Sequence, residues 1–247
     1  RRKEDVLKDL PEKTIIDVPF KLSDKERELY QKIQKELLYE IEKEDISKIE
    51  NPIGIQNTLV KMLRLRQIVN GMELVGDKKE STKLMVLKDV LAEVIADGRK
   101  VIVFTFFAEM AYILNRELKE YNVLTITGST SSDSRIDIFR MFNENESCKV
   151  LVMTETGSHG INLQVASCVI NYDTPWSLSK IEQRIGRSHR IGQKRNVLVY
   201  NLIGKGTVDN YIRRIVHAKQ KISDTLLGDS ALVGAEDIKN ILTYDQE

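Results

Sequence analysis

Between Lys180 and Arg195 the chain sets six Lys or Arg residues and one acid, Glu182, in sixteen positions. Gln183 and Arg187 stand four residues apart, so they share one face of a helix, and Arg190 joins that face if the helix continues through Gly186. Ser179 followed by Glu182 is a capping-box pattern, which predicts the start of that helix. Two guanidiniums and an amide converging in one place suit an anion with several oxygens. Arg presents a planar fork of donors that matches phosphate, and it stays charged at any working pH. The competing reading of such a run is a solvated or nonspecifically anionic-binding surface.

A second stretch, Thr154-Glu-Thr-Gly-Ser-His-Gly-Ile-Asn-Leu163, directly follows a predicted buried strand. Its glycines and hydroxyls let backbone N–H groups approach a phosphate or a ribose. Alone it reads equally as a Gly-rich turn. Thr105-Phe106-Phe107, Thr127-Gly128-Ser129-Thr130 with Arg135, and Asp173-Thr174-Pro175-Trp176 also follow predicted strands. Trp176, the only tryptophan, is either packing or a nucleic-acid contact. Two features are missing. No G-x-x-x-x-G-K-[ST] phosphate loop is present, since Gly204-Lys205-Gly206-Thr207 lacks the spacing, and no Asp-Glu pair ends a strand to hold Mg²⁺. Arginines for a phosphate with neither cradle nor metal site make half of a nucleoside triphosphatase, of the kind an arginine finger completes across an interface.

The elements that must position these residues follow from hydrophobic patterning. Five runs, at 101–104, 123–126, 150–153, 168–171 and 197–200, are nearly continuous in apolar residues, as strands buried on both faces are. Helical patterns at 82–97, 108–121, 132–143 and 179–186 separate most of them, and another at 207–225 follows the last. Such alternation predicts an α/β fold with a doubly wound, mostly parallel sheet, whose ligands bind beyond the carboxyl ends of the strands. The first 75 residues differ. An extended, partly strand-like lead-in with β character at 14–18 precedes a helix at 24–45, for which Ser23 and Glu26 form a capping box. Pro52 and Gly54 read as a break, and a second helix spans 56–70.

With a net charge of +1 the chain is no polycation, so any nucleic-acid role rests on local patches. Cys148 and Cys168 lie in apolar runs and read as reduced, buried thiols; neither they nor the three scattered histidines have metal-ligand spacing. No apolar stretch approaches a membrane span. The chain begins at Arg1-Arg2-Lys3 without methionine and is expected to be a piece of a longer protein.

Gln183-x-x-Gly186-Arg187-x-x-Arg190 resembles the last motif of superfamily-two helicases. His189-Arg190-Ile191-Gly192-Gln193 narrows the resemblance to the Swi/Snf group of ATP-driven DNA translocases. Leu10-Pro11-Glu12-Lys13, Leu65-Arg66-Gln67-Ile68-Val69-Asn70, Val101-Ile-Val-Phe104 with Phe107, Gly128 with Arg135, Gly157 with Gly160-Ile-Asn-Leu163, and Gly206-Thr207-Val208-Asp209 match the same group in order and spacing. Three places depart from it. Trp176-Ser177-Leu178 replaces Trp-Asn-Pro, Lys180 and Gln183-Arg184 replace an acid and Gln-Ala, and Ser158-His159 replaces small residues.

The resemblance implies a RecA-like lobe with helices on both faces of the sheet and an N-terminal helical protrusion. Residues 1–80 would be lead-in and protrusion, 81–228 the second motor lobe, and 229–247 a tail. ATP and Mg²⁺ would be bound mainly by a first RecA-like lobe of the same polypeptide, so this chain alone is expected to be inactive. Arg187 and Arg190 become ligands of the γ-phosphate with Gln183 in support, and Gly157, Gly160 and Asn162 also face the nucleotide. Thr105, Gly128, Ser129, Arg135, Thr154 and Trp176 become contacts to double-stranded DNA, without a metal of their own. The implied activity is translocation on duplex DNA that remodels a DNA-bound protein, in a cytoplasm or, in a eukaryote, a nucleus. The alternatives are another superfamily-two helicase lobe and a nucleic-acid-binding module that never sees ATP.

Overall fold

The computed structural model describes residues 10–43, 52–77, 81–155, 162–213 and 216. Six strands form one parallel sheet in the order β1-β6-β5-β2-β4-β3, with β1 at Lys13–Phe20, β2 at Lys100–Phe104, β3 at Leu124–Ile126, β4 at Val150–Met153, β5 at Ala166–Asn171 and β6 at Val197–Gly204. All residues of β2, β4 and β5 are buried. Continuous Val-Ile-Leu runs are what a parallel strand covered on both faces requires. Parallel neighbours also need a crossover between them. Helices α5 (Ser132–Glu144) and α6 (Leu178–Ile185) supply two of these, between β3 and β4 and between β5 and β6, and α4 (Ala108–Glu117) lies on the connection from β2 to β3. Helices α1 (Asp24–Lys43), α2 (Pro52–Asn70) and α3 (Thr82–Ala96) precede β2.

Register decides where the strand-end loops fall. Phe104 of β2 pairs with Met153 of β4 and with Asn171 of β5, so three strands finish level. The N–H of Thr105 then bonds the carbonyl of Met153, and that of Tyr172 the carbonyl of Phe104. Ile102, Phe104, Ile126, Phe142, Leu151, Met153 and Val169 pack one core beneath these ends. A smaller cluster sets Ile181 and Ile185 of α6 on Val197 and Val199 of β6. Cys168 sits in this interior with its thiol pushed up to about 12 by burial, so it stays neutral.

Several expected boundaries move. The lead-in is a full eight-residue strand, tied to β6 by the N–H of Val197 on the carbonyl of Glu12 and that of Lys205 on the carbonyl of Phe20. Pro19 is tolerated there because β1 is an edge strand. Pro52 does not break the chain; it is the first residue of α2, where its missing N–H costs nothing. Helix α4 stops at Glu117 and yields to a 3-10 turn at Lys119–Tyr121, which Asn122 ends in the left-handed conformation at φ 49°. The final helix expected at 207–225 is described only in part, with helical backbone over 208–213. Among the described residues, no helix is long and apolar enough to cross a membrane.

The chain divides into two compact units, residues 1–18 with 85–202 and residues 19–84 with 203 onward. This partition is not sequential. The second unit pairs α1 with α2 and buries Tyr30, Met62, Leu65 and Val69. The capping box at Ser23 forms: Ser23 N–H donates to Glu26 at 2.8 Å, and Glu26 N–H faces Ser23 Oγ at 3.5 Å. Glu26 also takes Thr82 Oγ1 at 2.6 Å, which joins α1 to the start of α3.

Candidate functional site

Helix α6 carries the basic cluster, and its start differs by two residues from the expected one. Ser177 has extended backbone (φ −141°, ψ 149°), and its hydroxyl accepts the N–H of Lys180. An N-cap needs that conformation, and Ser179 is already inside the helix, where its Oγ faces Gln183 Nε2 at 3.5 Å. Ile181 and Ile185 hold the inward face on the sheet, which leaves Gln183 exposed on the outward side. The helix ends at Gly186. Ser188 and His189 both donate N–H to the carbonyl of Ile185, so Arg187 and Arg190 project from turns just beyond the helix.

Those turns are pinned from several directions. Gln193 Nε2 donates to the carbonyls of Gln164 and Ala166 at 3.0 Å, and its Oε1 accepts the N–H groups of Lys194 and Arg195. The Ser188 hydroxyl donates to the carbonyl of Ala166. His189 Nε2 lies 2.8 Å from the carbonyl of Pro11, so that nitrogen bears the proton, because a carbonyl only accepts. Leu163 N–H reaches the carbonyl of Arg187. The signature from His189 to Gln193 is thus the scaffold that fixes where the arginines point.

Gln183, Gly186, Arg187 and Arg190, with Leu10 and Ile191 at the rim, line a shallow cleft of about 530 Å³. Three other basic residues nearby are spent on the protein itself. Lys180 pairs with Glu155 at 2.8 Å, Arg184 with Glu155 and Asp173, and Arg195 with Asp97 at 3.1 Å. The acid on the cleft, Glu182, is 3.3 Å from Lys13. Arg187 and Arg190 make no ion pair with any acid of the described residues. Arg187 Nε is buried without a hydrogen-bond partner, and burial first, then the neighbouring Arg190 charge, hold its pKa below the usual arginine value. Two like charges, one partly desolvated, are relieved by an anion that accepts from both.

The remaining expected residues separate into groups. Asn162 is exposed and donates to Gln164 at 3.1 Å, beside the arginine turns; Gly157 and Gly160 lie outside the described residues. Gly128 and Ser129 are exposed at the end of β3, and Ser129 Oγ is 3.0 Å from the Tyr112 hydroxyl. Arg135 is turned onto its own loop, donating to the carbonyls of Thr130, Thr127 and Gly128, so it shapes the turn instead of reaching outward. Trp176 is half-buried. Thr105 and Thr154 are both buried, and the Thr105 hydroxyl donates to Asp173 at 3.0 Å. A buried hydroxyl at a strand end is better satisfied by a carboxylate than left to reach solvent.

Sequence reasoning passed over Arg184. It is 3% exposed and donates to Asn171, to the carbonyl of Asp173 and to Glu155 at 3.0 to 3.1 Å. Its guanidinium stands 5.3 Å from the centre of the Phe104 ring. The signal was present: Ile181, Arg184 and Ile185 share the inward face at three- and four-residue steps. A basic run hid the one member that faces inside.

As a donor set, the two arginines and Gln183 fit the terminal oxygens of a nucleoside triphosphate, and the orphaned Arg187 Nε gives such an oxygen a partner. Among the described residues, no group of three or more His, Cys, Asp or Glu is placed to hold a metal ion.

Comparison with known proteins gives two family matches. The helicase conserved C-terminal domain matches residues 82–192, and the SNF2-related domain matches residues 1–74. An uncharacterised ATP-dependent helicase of Mycoplasma genitalium is 31% identical over 93% of this chain, which covers 22% of that protein. The chain therefore spans about a fifth of the length of this curated relative. The Sulfolobus solfataricus SWI2/SNF2 ATPase core, solved in complex with double-stranded DNA, superposes with a TM-score of 0.71 at 28% identity, covering 91% of this chain and 48% of that one. The C-terminal domain of the same ATPase gives 0.72 at 23% identity, over 94% of this chain and 99% of that one, and supports the fold.

Proposed function

This chain belongs to the Swi2/Snf2 family of helicase-like ATPases, and from that premise we propose that it is the second motor lobe of an enzyme that translocates on double-stranded DNA. In this reading Arg187 and Arg190 are arginine fingers. A first lobe of the same polypeptide binds ATP and Mg²⁺, and the motion remodels complexes between DNA and protein inside the cell. The observation that carries it is the pair of guanidiniums, free of any acid partner among the described residues, held by a pinned turn at the mouth of a cleft.

The chemistry asked of this chain is electrostatic. When bound, ATP supplies the phosphoryl group to be transferred, and Mg²⁺ neutralises part of its charge. Arg187 and Arg190 place fixed positive charge against the outer phosphate oxygens. Their turns are locked before the reaction, so little reorganisation remains to oppose the step. Gln183, one turn of helix before Arg187, offers an amide to the same oxygens. The exposed backbone at Gly128 and Ser129 is offered to a DNA strand, where contacts to phosphate position the duplex without reading its sequence.

In the full-length protein, Arg190→Ala should lower DNA-stimulated ATP hydrolysis by about 10³- to 10⁵-fold while DNA affinity stays nearly unchanged. Arg187→Ala should behave alike. Turnover retained in both variants would sink the finger assignment.

A further inference from the structure

A line of polar side chains crosses the sheet level with the carboxyl ends of β2 and β5. Asn201 of β6 donates to Asp17 of β1 at 2.9 Å, and Asn171 of β5 donates to Asn201 at 2.8 Å. Arg184 of α6 then donates to Asn171 Oδ1 at 3.0 Å and to the Asp173 carbonyl at 3.1 Å through Nη1. Through Nη2 it reaches Glu155 Oε1 at 3.0 Å and Asp173 Oδ1 at 3.5 Å. The other Asp173 oxygen accepts the N–H of Phe106 at 2.6 Å and the hydroxyl of Thr105 at 3.0 Å. One guanidinium thereby joins the ends of β4 and β5 directly, and the end of β2 through a single carboxylate.

Packing alone does not call for this arrangement. Ile181 and Ile185 already seat α6 on Val197 and Val199. A buried cation between two carboxylates is a poor source of stability, because desolvation offsets most of the attraction. Here it even leaves Arg184 Nε without a partner. What the network does supply is geometry. Arg184 is adjacent to Gln183 on α6 and three residues before Arg187, which projects from the turn that follows that helix. Its acceptors sit at the roots of the loops that follow β4 and β5, and one of them, Asp173, holds the start of the loop after β2. A shift of the loop after β2 moves the Phe106 N–H and so the Asp173 carboxylate. The opposite oxygen of that carboxylate faces Arg184, and a planar fork transmits the displacement where a flexible ammonium would absorb it.

We propose that Arg184 is a positioning residue that couples the nucleotide-side helix to the loops that follow β2 and β4, through Asp173 to β2 and through Glu155 to β4. The inference rests on the two-lobed motor reading given above.

The test uses the full-length protein, with Arg184→Met, Arg184→Lys and Asp173→Asn measured beside the wild type. The ratio of DNA-stimulated to DNA-free kcat should fall by about 5- to 150-fold, the usual range of a coupling between two sites. The KM for ATP and the DNA affinity should stay within about threefold, well inside that range. Arg184→Lys, which keeps the charge without the fork, should recover only part of the ratio. Stimulated and DNA-free rates that fall together, in step with the thermal midpoint, would overturn the coupling role and leave a structural one; so would a ratio left intact. If Arg184→Met fails to fold, Arg184→Lys and Asp173→Asn decide on the same ratio. A wild-type enzyme that duplex does not stimulate would overturn the motor reading itself, which is a different outcome from an intact ratio in the variants.

Discussion

At Arg187 burial and a like-charged neighbour both work against the charged form, yet nothing among the described residues neutralises it. An anion that accepts from both arginines would relieve that repulsion. Holding Arg187 in place requires a rigid turn, and Gly192 is where rigidity is most exposed to substitution. Its φ of +99° lies in the region that side chains resist, and a Cβ there would meet Gln164 Nε2 at 3.0 Å. Gln164 is also the residue whose amide donates to the carbonyl of Ile191. Gly192→Ala should therefore cost about 1–2 kcal/mol from backbone conformation alone, read as a lower denaturation midpoint. It should also weaken DNA-stimulated turnover, because Arg190 is two residues away. An unchanged midpoint would show that the turn tolerates a different backbone.

Elements were legible where a period was unambiguous and less so where a cap or a partner decided. The buried runs of β2, β4 and β5 announced a parallel sheet because both faces must be covered. The start of α6 was misplaced because two serines stood close together, and only backbone conformation distinguishes the cap at Ser177 from Ser179. The buried role of Arg184 was masked by the basic run around it. A second long-range partnership was equally invisible. Lys83 of α3, fully buried, donates to Asn70 at the end of α2 at 2.8 Å and to Asp209 beyond β6 at 2.5 Å. Its partners lie 13 and 126 residues away, so no spacing rule reveals them. Asp209 Oδ1 has no partner of its own. Lys83→Met should thus cost about 3–5 kcal/mol, since it abandons a buried carboxylate. The double change with Asp209→Leu should recover most of that loss in urea unfolding. A double variant no better than the single would mean that packing, not the lost counter-charge, sets the cost.

For the whole molecule, a net charge of +1 matters as much as any motif. A chain without bulk positive charge has no general attraction to DNA, so any contact it makes with DNA must be local. That makes salt dependence a sharp discriminator between a motor lobe and a nucleic-acid-binding module that never sees ATP. Each phosphate that a protein neutralises on duplex DNA adds about 0.9 to the slope of log affinity against log salt. In the motor reading Arg187 and Arg190 face the outer phosphates of ATP, so removing both changes hydrolysis and leaves the DNA slope as it was. In the module reading the same arginines neutralise DNA phosphates, and their loss flattens the slope by about 2. The measurement is duplex affinity of the full-length protein, wild type against the Arg187→Ala/Arg190→Ala variant, across a salt series without nucleotide. Parallel lines, together with lost turnover, are the expected result. A slope reduced by about two contacts, with hydrolysis absent from both proteins, would transfer the arginines from ATP to DNA.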